Sequence, residues 1–262
     1  TLGVVPLTDA ALPVIAAHRG FAAAEGLDLA LSVEFSWASI RDKLSFGLLD
    51  CAQLLAGIPL AADIGAGQLR TEMIAPFSLG LNGNAITVSE GLYQEMAAIH
   101  GGPFETTGLD GALALKGVID ARRARGVPAL VFATVFAFSS HNYDLRYWMA
   151  AAGIDPDRDV TIVVVPPPKM PETLADGRID GYCVGEPWNV VAARRGIGRI
   201  VATKYGIWHN SPEKVLGMRR GWAEDNADTV AALIRALYRA GEWADDPANR
   251  AEIADVLLEA KV

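Results

Sequence analysis

Short apolar runs alternate with stretches of helical spacing along nearly the whole chain, and that alternation constrains the fold more than any single residue. Runs such as 2–7, 27–35, 49–54, 129–136, 160–165 and 179–184 have the length and character of buried strands. Between them, segments such as 9–24, 89–98, 112–125 and 227–244 carry helical periodicity or helix start and stop residues. Strands separated by helices imply a parallel or mixed sheet covered on both faces, an α/β class. Ligands on such sheets bind beyond the carboxyl ends of the strands, where each helix begins. Thr8, Trp37 and residues 54–57 fall at such ends.

A chain of 262 residues has room for two α/β lobes. An apolar run broken by Leu81-Asn82-Gly83-Asn84 marks a first crossover, and Gly185-Glu186-Pro187-Trp188 marks a return. The expected lobes are therefore 1–80 with 186–262, and 81–185, joined by two connections that act as a hinge. With 51% hydrophobic and 21% charged residues the chain is globular rather than disordered. A net charge of −8 argues against a direct nucleic-acid partner, which requires a basic face. No apolar run approaches the ~18 residues of a membrane span. The sequence begins at Thr1 in a strand-like run, which is read as a removed leader or a trimmed start. Cys51 and Cys183 lie in separate apolar runs and are expected as buried, reduced thiols, a pattern that favours a reducing compartment.

Four histidines, no H-E-x-x-H and no C-x-x-C exclude a dedicated metal site, and no cofactor is implied. G-x-S-x-G, G-x-G-x-x-G and Walker A patterns are all missing, and no nucleophile–base pair stands out, so a non-enzyme is expected. Donors are easier to assemble. Residues 138–148, FSSHNYDLRYW, follow a strand and precede a helix expected from Leu145 to Ala152. Backbone N–H groups at such a turn point at anything negative. Ser139 and Ser140 suit the cap, and Ser140 and His141 add side-chain donors. Trp37 offers an indole N–H, Asn84 an amide and Lys214 a full charge. An ammonium ~4 Å from a unit anion contributes about 4 kcal/mol at an effective dielectric near 20. Each residue also has a plainer role: Trp37 in a core, His141 at a helix start, Lys214 on the surface, Asn84 in a turn.

Several blocks carry a resemblance: LTDAALPVIAAHRGFAAAEGLDL, SWASIRDKLSFG, NGNAITVS, SSHNYDLRYWMAAAGIDPDRDV, PPPKM, DGYCVGEPWN and SPEKVLGMR. In order and over nearly the whole chain they resemble the nitrate- and bicarbonate-binding protein family, which includes NrtA and CmpA of ABC importers and the cytoplasmic sensor NasS. The resemblance implies a two-lobed, type II periplasmic-binding-protein-like fold with a small oxyanion in the cleft between lobes. It places ligand contacts on Trp37, Asn84 (usually Gln in transporter members), Ser140, His141 and Lys214. A lysine at 214 goes with nitrate-type members, where bicarbonate-type members carry an acidic residue; nitrate or nitrite is therefore the expected ligand.

The short RDKLSFGLLDCAQLL segment and SSHNYDLRYW look closer to NasS than to transporter members. The resemblance then implies a cytoplasmic sensor that sequesters a NasT-like RNA-binding antiterminator and releases it on anion binding. Two alternatives stay open: a periplasmic or lipid-anchored binding component serving an ABC permease, and an enzyme on the same fold like the thiamine-pyrimidine synthases.

Overall fold

The computed structural model describes residues 1–66 and 70–262. They separate into two compact units, 1–81 with 212–262, and 82–211. The first unit opens with β1 (Leu2–Val4), α1 (Ala11–His18), α2 (Phe21–Ala24), β2 (Leu31–Val33), α3 (Trp37–Ser45), β3 (Cys51–Leu55), α4 (Gly57–Asp63) and β4 (Met73–Leu81). The second holds β5 (Asn84–Ser89), α5 (Glu90–His100), α6 (Asp110–Ala124), β6 (Leu130–Thr134), α7 (Ser140–Ala151) and β7 (Val160–Val164). It continues with α8 (Met170–Ala175), β8 (Gly181–Gly185), α9 (Trp188–Arg194), β9 (Gly198–Thr203) and α10 (Lys204–Ile207). The chain then returns to the first unit with β10 (Pro212–Arg219), α11 (Arg220–Asp225), α12 (Ala227–Asp245) and α13 (Arg250–Glu259).

Both sheets are mixed. The first has the order β2-β1-β3-β10-β4, with β1 parallel to β2 and β3, and β10 antiparallel to both neighbours. The second has the order β7-β6-β8-β5-β9, with β6 parallel to β7 and β8, and β5 antiparallel to β8 and β9. Two central strands, β3 (CAQLL) and β8 (GYCVG), are buried along their whole length. Edge strand β4 is largely exposed and tolerates Pro76, which has no N–H for a ladder. Each unit has its own core. Val4, Ile15, Cys51, Leu216, Leu233 and Leu237 belong to the first, and Ile86, Leu115, Phe132, Leu145, Trp148 and Cys183 to the second.

Three expectations from sequence need correction. The return crossing lies at Pro212 rather than 186, because β9 pairs with β5 and so keeps 186–211 in the second unit. The expected helix 9–24 is split, since Gly20 takes a left-handed conformation (φ 75°) that ends α1. Helix α7 starts at Ser140 instead of Leu145, because the cap at Ser139 holds from the first turn. In α12, Val230, Leu233 and Leu237 are buried while Tyr238 is exposed. Five residues beyond Leu233, it has rotated about 140° off the buried face. The break in LNGN is a turn as expected, with Asn82 (φ 58°) and Gly83 (φ 85°) both left-handed.

Candidate functional site

Strand polarity gathers the predicted residues of the first unit at one sheet edge. β1, β2 and β3 run in parallel, so their carboxyl ends share that edge, and antiparallel β10 begins there, with Lys214 opposite Leu55. The turn after β2 is fixed by Ser36, whose Oγ accepts from the Ser39 N–H at 3.1 Å and caps α3. Trp37 is thereby the first residue of the helix. Glu34 braces the same turn, accepting from Ser32 Oγ and Ser39 Oγ, both at 2.9 Å, and from Lys43 Nζ at 2.7 Å. Burial works against its charge, but those donors outweigh it and hold the carboxyl below its usual range.

Trp37 is fully buried, and its indole N–H has no acceptor among the described residues. A buried donor left without a partner costs about 1–3 kcal/mol, so the position is suited to an acceptor brought by a ligand. Trp148 shares this condition, deep in the second core. What distinguishes Trp37 is its neighbour: the Lys214 ammonium lies 5.4 Å from its ring centroid.

Lys214 is fully buried rather than a solvated surface lysine. Its Nζ lies 2.6 Å from Asp9 Oδ2 and 2.8 Å from Glu213 Oε1. Burial opposes its charge, yet the two carboxylates outweigh that and raise its pKa. Burial raises Asp9 in turn, against the pull of Lys214. Asp9 is held in place by Gln53, whose Nε2 donates to Asp9 Oδ1 at 2.5 Å while its Oε1 accepts from the Val5 N–H at 3.0 Å. The Asp9 carboxylate thus turns to Gln53 and Lys214.

This arrangement changes the electrostatic argument for an anion. The ammonium's attraction of about 4 kcal/mol at ~4 Å meets two carboxylates, each repelling a guest ~5.5 Å away by about 3 kcal/mol at the same dielectric. Those two carboxylates therefore offset much of the attraction that the ammonium alone would offer an anion. Asp9 and Glu213 are the carboxylate partners of the ammonium among the described residues, and an ammonium has three N–H donors.

Asn84, Ser140 and His141 belong to the second unit. Asn84 is buried at the start of β5, opposite Gly185 at the end of β8. Since β6 runs parallel to β8, the turn leading from β6 into α7 emerges at that same edge. Polarity thus brings Asn84 and the start of α7 to one side of the second sheet. Ser139 does the capping: its Oγ accepts from the Asn142 N–H at 3.1 Å and donates to the Phe136 carbonyl at 2.6 Å. Ser140 and buried His141 are the first two helical residues, where N–H groups lie outside the intrahelical ladder. A second buried ion pair, Lys204 Nζ to Asp144 Oδ2 at 3.4 Å, anchors α7 to α10. An aromatic-walled cavity of about 400 Å³, lined by Tyr143, Asp144, Tyr147, Ile207 and Trp208, takes in none of the five predicted residues.

Sequence reasoning missed Asp9, Glu213 and Gln53. Adjacent strand residues normally point to opposite faces, which argues against Glu213 meeting Lys214. The register of β10 against β4 shifts on both sides of Lys214, and the two side chains meet there.

Residues 1–258 match the model of the NMT1-like family. The chain belongs to that family. Among its relatives, the bicarbonate transport ATP-binding protein CmpC of Synechococcus elongatus is 39% identical over 260 residues, covering 98% of this chain and 37% of CmpC. The nitrate/nitrite binding protein NrtA of the same organism is 34% identical over 269 residues, covering all of this chain and 58% of NrtA. The crystal structure of the periplasmic nitrate-binding protein NrtA from Synechocystis PCC 6803 superposes with a TM-score of 0.88 at 30% identity, covering 98% of this chain and 64% of that one. This NMT1-like chain thus spans little more than a third of CmpC and somewhat over half of NrtA. The resemblance to nitrate- and bicarbonate-binding proteins is borne out, and so is the two-lobed α/β class of the periplasmic binding proteins. Among the described residues no group of three or more His, Cys, Asp or Glu is placed to hold a metal ion. No described helix is long and apolar enough to cross a membrane.

Proposed function

We propose that the chain binds one small acceptor-only oxyanion, nitrate or nitrite, with Trp37, Asn84, Ser140, His141 and Lys214 as the candidate contacts. The observation that carries this reading is the buried Trp37 indole N–H, which has no acceptor among the described residues, beside the buried Lys214 ammonium. Relatives named for nitrate and nitrite support the ligand class. An NrtA relative, named as a binding protein, supports binding rather than catalysis as the activity. Calorimetry with nitrate, nitrite and bicarbonate on the wild type and Lys214→Glu tests it. Nitrate should bind the wild type and fail to bind the variant once circular dichroism shows both folded; equal affinities would remove Lys214 from the site.

The regulatory reading extends this. The chain acts as a cytoplasmic, NasS-like sensor whose anion-bound state releases a NasT-like RNA-binding antiterminator, by differential affinity of partner and anion for two states. The short segment between α3 and β3 supports it, as do Cys51 and Cys183, both buried and neither in a disulfide. Matches to part of CmpC and NrtC, ATP-binding proteins by name, place related sequence within proteins other than free-standing binding proteins. The alternative, a periplasmic component delivering the anion to an ABC permease, is favoured by the periplasmic NrtA structure. Size-exclusion chromatography with a NasT-like regulator, with and without nitrate, separates the two: a complex dissolved by nitrate supports the sensor, and no complex in either condition supports the importer.

A further inference from the structure

The second unit has a further cavity, of about 290 Å³, at the sheet edge where β6 and β7 begin. Its wall takes Arg122 and Arg123 from the last turn of α6, Val127 and Leu130 from the entry to β6, and Arg158 and Asp159 from the entry to β7. Ser140 and His141 follow the far end of β6. At about 3.3 Å per residue, that five-residue strand holds the two edges roughly 15 Å apart. None of the five predicted residues lines this cavity.

Arginines at a helix C-terminus ordinarily serve the dipole and the last carbonyls. Here those carbonyls have other donors. The Arg122 carbonyl accepts from the N–H groups of Arg125 at 3.1 Å and Val127 at 3.0 Å, and that of Arg123 accepts from the Gly126 N–H at 3.1 Å. Gly126 makes this closure possible by its left-handed conformation (φ 66°). The Ala121 carbonyl accepts from Arg125 Nε at 3.2 Å. Arg122 is therefore not needed at the helix end. Its Nη1 makes only a loose ion pair with Glu95 Oε1 at 3.7 Å, and its Nε is buried with no acceptor among the described residues. A buried N–H of a charged group in that condition costs free energy that an acceptor on a guest would recover.

The other two arginines keep donors in hand. Arg123 donates from Nη2 to Asp159 Oδ1 at 2.6 Å and stands 3.6 Å from Asp120, while Arg158 donates from Nε to Asp155 Oδ2 at 2.5 Å. Each guanidinium has five N–H groups, so these bonds leave several on both. Asp159, the carboxylate of the wall, has both oxygens engaged, Oδ1 by Arg123 and Oδ2 by the Asp155 N–H at 3.0 Å. Net charge does not carry the case, since Glu95, Asp120, Asp155 and Asp159 answer the three arginines; the donors do. We propose that this cavity is a second anion site, for a phosphate group, free or as a monoester, held by Arg122, Arg123 and Arg158. Guanidinium forks arriving from α6 and from the entry to β7 call for acceptor oxygens in more than one plane, which tetrahedral phosphate offers and planar nitrate does not. The proposal does not depend on the nitrate reading.

Titration calorimetry of the whole chain with sodium phosphate, in nitrate-free buffer, tests it on the wild type, Arg122→Met, Arg158→Ala and Lys214→Glu. The wild type should bind phosphate at millimolar concentration or below, and each arginine variant should weaken that by about tenfold or more. Lys214→Glu should bind phosphate as the wild type does. Arg158 is 81% exposed, so its variant stands as a test even if Arg122→Met fails to fold. In amide NMR spectra of the wild type, phosphate should move the signals of 122–130 and 158–160 and leave those of 139–142 in place. Glycerol phosphate, titrated in the same way, separates the sources: tighter binding than inorganic phosphate assigns a monoester, and weaker binding assigns the free ion. No phosphate binding by the wild type overturns the proposal, and so does unchanged affinity in folded Arg122→Met or in Arg158→Ala. Loss of phosphate binding in folded Lys214→Glu moves the ion to the first unit and overturns it as well.

Discussion

An ammonium flanked by two carboxylates and an indole face behaves differently from one projecting into water. Lys214 keeps its charge through Asp9 and Glu213, and those same partners limit what the charge offers to a guest. In the proposed site Trp37 would be free of that limit, since its N–H is neutral and already desolvated. Trp37→Phe keeps an aromatic wall and removes the donor; nitrate affinity should fall about tenfold, the worth of one hydrogen bond of ~1.4 kcal/mol. Calorimetry reads this, and an unchanged affinity would remove the indole from the contact set. Asp9 also leaves a mark on stability. Its folded-state pKa is raised, so its contribution is complete below the ordinary value of 3.8 and is lost as pH rises through the folded value. Glu34, held low, behaves in the opposite sense: its contribution is present above 4.5 and is lost as pH falls. Urea denaturation from pH 4 to 7 should therefore show Asp9→Asn gaining on the wild type as pH rises. A constant difference would mean that Asp9 does not titrate in that range.

At the scale of elements, α3 and α7 present the candidate donors, and both are set by local chemistry at their first turns. Ser36 and Ser139 each satisfy an N–H of the first turn, at 3.1 Å in both cases. Ser139→Ala should cost about 1–2 kcal/mol, read as a lowered urea midpoint with unchanged slope. Part of that cost comes from the Phe136 carbonyl, which loses the Ser139 hydroxyl. Helix α7 has a second anchor in Asp144 and Lys204, both buried. Removing one partner leaves a buried charge, so Lys204→Met should destabilise by about 3–5 kcal/mol. The double variant Asp144→Leu, Lys204→Met should recover most of that loss, because neither charge is then stranded. Equal instability of single and double variants would show that packing, rather than charge, sets the cost.

At the scale of the whole molecule, the described residues give each unit a mixed sheet and a core of its own, with Cys51 in the first and Cys183 in the second. Burial raises the Cys51 thiol to about 12, so it is both inaccessible and protonated in the folded state. Neither thiol should react with an aromatic disulfide reagent within minutes in buffer, and both should react in denaturant. Cys51→Ser and Cys183→Ser then report the opening of the opposite unit separately. Rapid labelling of the native chain would contradict the burial of both.

Much of this architecture is legible in the sequence, because its signals are local. Apolar runs mark β3, β6, β7 and β8, Ser139 suits a helix cap, and Leu81-Asn82-Gly83-Asn84 breaks an apolar run. Each depends on neighbouring residues and on backbone preferences that hold in any fold. The course of residues 186–211 is different. Whether β9 joins the first or the second sheet depends on which edge β5 leaves open, and that is a matter of strand order. The environment of Lys214 is likewise tertiary. Antiparallel insertion of β10 beside β3 brings it to Asp9 and Gln53 from distant parts of the chain, and a register shift turns Glu213 toward it. Sequence alone specified a lysine at that place in the chain, through residue type and family resemblance. Its buried, doubly countered charge was decided by tertiary structure, because electrostatics acts through distances that sheet order sets.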